Sequence, residues 1–396
     1  SESEHPFYKP GTKRYDSLLN DITSRLLNDG GSRFYDKSSL YNIDGQYQFN
    51  LGSVGFTVGG NYRLYKPNSK GTIFADTAGT KITNWNYGAY LGAEYKILDD
   101  RMVFLGTVRV HKNENFDPVV SPAFSVVYNS VKDHIFRLSY STAVRNPTMA
   151  DQFLYYNVGR AILIGNLNGH GVRYGENLVT IESLYEYFTP SFPVYDSLKF
   201  FSVDPIKPEK AKSIELGYRS TISNKLYVDA NVYYSEYTDF IGYKIGAKFL
   251  ADTSNGGYSI TLPSIQAYRM AANAENKVTT KGASIGINYY PNSDISINGN
   301  YSWNSLNEKG TNDPIIPAYN TPEHKFNLGC LIKNIHFSKQ KSFLRDFSCS
   351  VNYKWVEGFQ YEGSPQFTGY VPTYDIIDLQ ISKEIIRINA TVKLGS

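Results

Sequence analysis

The chain has 396 residues, with 40 Lys and Arg against 37 Asp and Glu, a net charge of +3 and a pI near 8.4. That balance excludes a strongly basic nucleic-acid surface, and the length allows one large domain or two to three ordinary ones. Mean hydropathy is −0.38 and no run of about 18 apolar residues occurs, which excludes a transmembrane helix.

The first residues, Ser1-Glu2-Ser3-Glu4-His5, are polar and acidic and do not resemble a signal peptide. Asp16 to Leu27 then places Leu18, Leu19, Ile22, Leu26 and Leu27 on one helical stripe. A helix is expected there, with Asp16 as its cap, Gly30-Gly31 as its stop and neighbouring loops packed against it.

From Tyr41 onward the period becomes two. Tyr41, Ile43, Tyr47, Phe49 and Leu51 alternate with Asn42, Asp44, Gln46, Gln48 and Asn50. The pattern recurs in 84–97, 136–140, 295–304 and 347–355, and such segments number about 14. A soluble β-sandwich or propeller shares this period, but its strands cluster at about 5–6 residues, whereas most of these approach the ~10 of a tilted membrane strand. Trp85 and Tyr95 lie ten residues apart on one face. That is ~33 Å along a strand and ~25 Å of height once tilted, the spacing of two aromatic girdles. The expected fold class is therefore all-β, a transmembrane antiparallel β-barrel whose outward face meets lipid.

The connections alternate in length. Those at 51–55, 98–101, 129–134, 220–225, 291–293 and 382–385 are short; those at 66–82, 111–119, 145–212, 239–280, 306–323 and 357–373 are longer; 334–345 is intermediate. Short turns at one rim and long loops at the other are the asymmetry of outer-membrane barrels. Residues 1–38 and 145–212 are then extracellular loops, and 1–396 is a single barrel segment. By this direction both chain ends lie at the long-loop rim, so a closed wall is expected to need at least one more strand at each end.

Loop 145–212 far exceeds the ~12–15 residues beyond which irregular loops become uncommon. It carries Tyr155, Tyr156, Asn157, Arg160, Asn166, His170, Arg173, Tyr174 and Glu176. Two readings stand for these residues, a ligand-facing surface or a loop packed on itself. On the lumen side, Arg63, Glu94, Arg109, Arg137, Glu215, Arg219, Asp229 and Lys354 would set conduction in a porin and contact a plug in a receptor.

Several stretches resemble the TonB-dependent outer-membrane receptors. Phe136-Arg-Leu-Ser-Tyr-Ser-Thr-Ala-Val-Arg-Asn-Pro-Thr148 is similar to a barrel motif in which a strand ends in an aromatic or apolar residue, Arg, a small residue and Pro; Val144 stands where Phe is commoner. Asn157-Val-Gly-Arg160 with Gly165-Asn166 resembles the form found in Bacteroidota. Ile206-Lys-Pro-Glu-Lys-Ala-Lys-Ser-Ile-Glu-Leu-Gly-Tyr218, Asn273 to Gly282, Trp355-Val-Glu-Gly358 and Ile388 to Gly395 match later stretches of the family. The motif residues are thus Arg145, Asn146, Pro147, Pro208 and Glu209. The resemblance implies a barrel of about 22 strands, of which this chain would supply about 14, with an N-terminal plug. It implies energy-coupled uptake of a scarce or bulky ligand, a TonB complex engaged through that plug, a surface lipoprotein partner and the outer membrane of a Gram-negative bacterium. A passive porin is the alternative.

No enzyme is expected. Gly169-x-Gly171-x-x-x-Gly175 has the wrong spacing for a dinucleotide loop, and no His or Asp stands in a motif-level relation to Ser139 or Ser141. An outer-membrane hydrolase stays open only as a constellation formed in space. The six histidines show no pair at ligand spacing and the cysteines number two, so neither metal nor cofactor is expected. Cys330 and Cys349 fall on one hairpin, both on the apolar face, and would sit opposite each other if the turn centres near 339–340; free thiols are expected in preference to a bridge.

Overall fold

The computed structural model describes residues 9–77, 79–130, 133–159, 161–189, 197–249, 251–252, 259–260, 264–308, 320–335, 337, 345–362 and 368–396. Fourteen antiparallel strands form one sheet in which spatial order is chain order. They are β1 (Ser39–Leu51), β2 (Val54–Lys66), β3 (Asn84–Ile97), β4 (Met102–Asn113), β5 (Phe116–Asn129), β6 (His134–Arg145), β7 (Glu209–Ile222), β8 (Leu226–Thr238), β9 (Val278–Tyr289), β10 (Ile295–Glu308), β11 (His324–Ile335), β12 (Phe347–Val356), β13 (Tyr374–Ile385) and β14 (Ala390–Gly395). The expected strand number is met, and all but β14 have ten to fourteen residues.

Period two sorts the side chains. Outward positions expose Tyr47, Leu91, Phe124, Leu138, Leu216, Val232 and Leu328, an apolar band far too extensive for water. Inward positions carry a polar lattice: Arg137 and Arg219 clasp Asp229 at 2.7 and 2.6 Å, Asn231 donates to Glu215, and Asn327 donates to Asn300. Arg137 lies flat across Gly217, where a Cβ would stand 2.8 Å from its Nε, so the glycine is what lets the guanidinium cross to Asp229.

Register gives the tilt. One row of paired residues runs Ile97, Met102, Tyr128, Phe136, Tyr218, Ala230, Ile285, Tyr301, Phe326, Trp355 and Asp375. It begins at the short-turn end of β3 and finishes at the long-loop end of β13. The stagger is about one residue per strand; with ~3.4 Å per residue and ~4.8 Å between strands it corresponds to a tilt of roughly 35°.

Three expectations shift, and the register of the two cysteines is now defined. The first helix runs Lys13–Ser24 and is capped by Thr12, whose hydroxyl accepts from the Tyr15 N–H, rather than by Asp16; Leu18, Leu19 and Ile22 are exposed, not packed on loops. β4 and β5 meet in a two-residue hairpin, Asn113 opposite Phe116, so that long-rim connection is short. β13 continues to Ile385, and its turn is the 3-10 segment Ile386–Ile388 with Asn389 at positive φ; alternation alone cannot mark a turn lacking Gly or Pro. Cys330 pairs with Val351 and Cys349 with Ile332, so the cysteines are two residues out of register, and both are free.

Leu216 sits midway along β7 on the outward face. Leu216→Arg is expected to cost roughly 2–4 kcal/mol in a bilayer, against less than about 1 kcal/mol for Glu215→Gln on the opposite face. Urea unfolding in lipid vesicles measures both.

Candidate functional site

The two longest connections do not remain loops. Short strands Leu178–Val179, Ile241–Lys248, Gln266–Asn273, Ala161–Ile164 and Tyr155–Asn157 join, in that order, into a five-stranded outer sheet. Its centre is a parallel pairing of Ala161–Ile164 with Ala267–Met270, which brings loop 145–212 against loop 239–280. Among the described residues the three clusters of buried apolar side chains all lie at this rim. Met270, Ala272, Ile162, Ile164 and Leu178 form the centre of one; Val179, Tyr187 and Ala247 belong to the second; Phe116, Ile206 and Ala271 form the third. The loop that sequence left open between two readings has a core of its own.

The family-motif residues sit at its base. Arg145, closing β6, reaches Glu209, opening β7, at 2.7 Å, so the ends of a long excursion are held by one ion pair. Glu209 is buried, and the same carboxylate oxygen accepts the Ile241 N–H, which anchors the second loop at the same point. Lys207, just before Pro208, is clamped by Asn273: its N–H donates to Asn273 Oδ1, and its carbonyl accepts from Asn273 Nδ2, which also reaches Asp239 O. Asn146 contacts His111 Nε2, and the Pro147 carbonyl accepts from Gln152.

The candidate ligand-facing residues separate. Tyr155 is exposed on the edge strand of the outer sheet, Tyr156 packs edge-on against Phe34 at 5.5 Å, and Asn157 is exposed while its Oδ1 accepts the Gly159 N–H. Arg160 lies outside the described residues. Asn166 does not face a ligand: it is fully buried, and its amide donates to Asp204 O at 2.7 Å and Ala271 O at 2.8 Å, pinning the two loops together. Gly171, at φ 96°, passes so close to the Phe201 carbonyl that a side chain would not fit, which explains the glycine pattern without a nucleotide. Arg173 and Tyr174 both reach Asp204.

Glu176 gathers Lys248 at 2.6 Å, the Gly171 N–H at 2.9 Å and His170 at 3.3 Å. Burial works to raise its pKa, but the Lys248 hydrogen bond, the Gly171 N–H and the Lys248 charge outweigh it and hold the carboxyl below its ordinary value. Sequence reading missed Gln152, a buried hub bonded to Asn84, Asn115 and Pro147 O, and Asn273. Each joins elements distant in the chain, so no local spacing announces it. The arrangement holds polar and aromatic groups on a folded, packed platform; among the described residues no metal-binding cluster occurs.

Asn166→Ala removes two buried donors and is expected to weaken the loop core by about 2–3 kcal/mol. Amide exchange should quicken in 161–164 and 266–273 while β7 and β8 are unchanged. The Glu176 contribution is present above the unfolded carboxyl pKa of about 4.3 and is lost as pH falls through the lower folded value. Exchange in 170–179 should therefore rise on acidification, and Glu176→Gln should flatten that dependence.

A family model described as TonB dependent receptor-like, beta-barrel matches residues 6–393. No curated protein matches. Among solved structures, the FrpB iron transporter from Neisseria meningitidis (F3-3 variant) aligns with a TM-score of 0.56 at 11% identity, over 88% of this chain and 48% of that one. The siderophore receptor PirA from Acinetobacter baumannii aligns at 0.57 and 12%, over 88% and 48%. The copper transporter OprC aligns at 0.56 and 13%, over 91% and 50%. This chain thus spans about half the length of the solved structures it matches, and at these identities the likeness is one of fold. With a match from one end of the wall to the other, the chain belongs to the TonB-dependent receptor-like β-barrel family, whose place is the Gram-negative outer membrane.

Proposed function

We propose that this wall and its loop domain form the ligand-capturing part of a receptor that takes up a scarce or bulky ligand with energy from the TonB complex. The observation that carries the reading is the shared core of loops 145–212 and 239–280, tied at its base by Arg145, Glu209 and Asn273. A passive porin needs an open path and has no use for a folded domain built from its two longest loops. The long-loop rim faces outward from the cell, residues 9–38 included, and the outer sheet presents its edge to arriving ligand.

The solved relatives are named for iron, a siderophore and copper, so scarce metals and their chelates are the first ligands to test. The Asn157-Val-Gly and Gly165-Asn166 stretches support a receptor of the Bacteroidota type, working with a surface lipoprotein over the same rim.

Tyr185 is 73% exposed in loop 145–212, whereas Ser223 lies in the short turn between β7 and β8. In intact cells a membrane-impermeant maleimide should label Tyr185→Cys and not Ser223→Cys. Accumulation of ligand should stop when the proton-motive force is collapsed. Uptake that persists without it would replace the receptor reading with the porin.

A further inference from the structure

Among the described residues, one cation of the outer sheet has no carboxylate within ion-pair distance. Lys244, Lys248, Arg145 and Arg173 each lie within 2.9 Å of a carboxylate oxygen. Among the described residues Arg269 has neither an ion pair nor a side-chain hydrogen bond, and its Nε is buried with no acceptor. Its guanidinium carbon lies 3.6 Å from the centre of the Tyr243 ring. Its register neighbours on either side are apolar, Leu163 and Ile245. Arg269 and Tyr243 line a cavity of about 110 Å³ between the outer sheet and the short helix Met149–Phe153. Asp151 also lines it, but its Oδ2 is engaged by the N–H and hydroxyl of Thr148 at the head of that helix.

Arg269 is half-buried, with Nε its one buried nitrogen, and its guanidinium keeps its charge at any accessible pH. A buried donor without an acceptor asks for one. Stacking on Tyr243 fixes the plane of the fork, and a fixed fork suits two oxygens side by side. The cavity admits an oxyanion head rather than a whole bulky ligand. We infer that Arg269 and Tyr243 form an oxyanion subsite, which takes a carboxylate or phosphate group of the captured ligand. The inference rests on the receptor reading and adds the chemical class of the ligand.

Equilibrium dialysis of the whole receptor in detergent tests it, with labelled inorganic phosphate in one arm and labelled benzoate in the other. At least one should bind saturably, and the arm that does names the group. Arg269→Gln should weaken that binding more than fivefold; Arg173→Gln, whose arginine already has Asp204, should leave it unchanged. If Arg269→Gln does not fold, the same threshold applies to Arg269→Lys, which keeps the charge and loses the fork. No binding in either arm, a loss of fivefold or less, or an equal loss in Arg173→Gln overturns the subsite. Dialysis does not involve uptake. A receptor that accumulates ligand in energised cells but fails dialysis keeps its function and loses the subsite; one that binds phosphate or benzoate without energised uptake does the reverse.

Discussion

Inside a bilayer no water is available to a stray N–H or C=O, and each must find its partner within the protein wall. Much else in this chain follows from that requirement. It enforces continuous pairing from β1 to β14, with register shifts near His111 and Ile332, alternation of side chains, and turns that waste few residues at one rim. The apolar side chains spent on the outer surface are then unavailable for an internal core. The wall encloses polar groups instead, held by lateral bonds such as those of Arg137, Arg219 and Asp229. Among the described residues the conventional hydrophobic core reappears only where the chain leaves the bilayer, around Met270, Leu178 and Ala247.

That division decides what could be read from sequence. The wall was legible because its signal is local: Tyr41 to Leu51 or Asn84 to Ile97 declare their two faces within a dozen residues, and the count of about fourteen strands needed no tertiary information. Errors arose where the local signal thins. Thr12 and Asp16 are both acceptable caps, and only the hydrogen bond to Tyr15 chooses between them. The turn after β13 has a positive-φ Asn rather than Gly or Pro, and β14 is shorter than its alternation suggested.

The site was legible only as a list. Arg145 and Glu209 were singled out as parts of separate motifs, and nothing in either motif says that they meet. Asn166 looked like a surface group because Asn usually is one; its amide proves to be a joint between segments 105 residues apart. The parallel pairing of Ala161–Ile164 with Ala267–Met270 has no periodicity to announce it, since four-residue apolar runs are common in loops and cores alike. Low identity to the solved relatives fits the same division: a shared wall demands a pattern, not particular residues.

The one-residue climb per strand has an evolutionary consequence. Deleting or adding one residue within a strand reverses which side chains beyond it meet lipid. The wall and its tight turns therefore form a part of the gene in which length changes are purged. The opposite rim carries no such penalty, because a connection anchored at points such as Arg145, Glu209 and Asn273 can grow, shrink or be exchanged between its anchors. New specificities in such a lineage should arise by insertion and deletion at one rim, while the barrel beneath changes only by substitution.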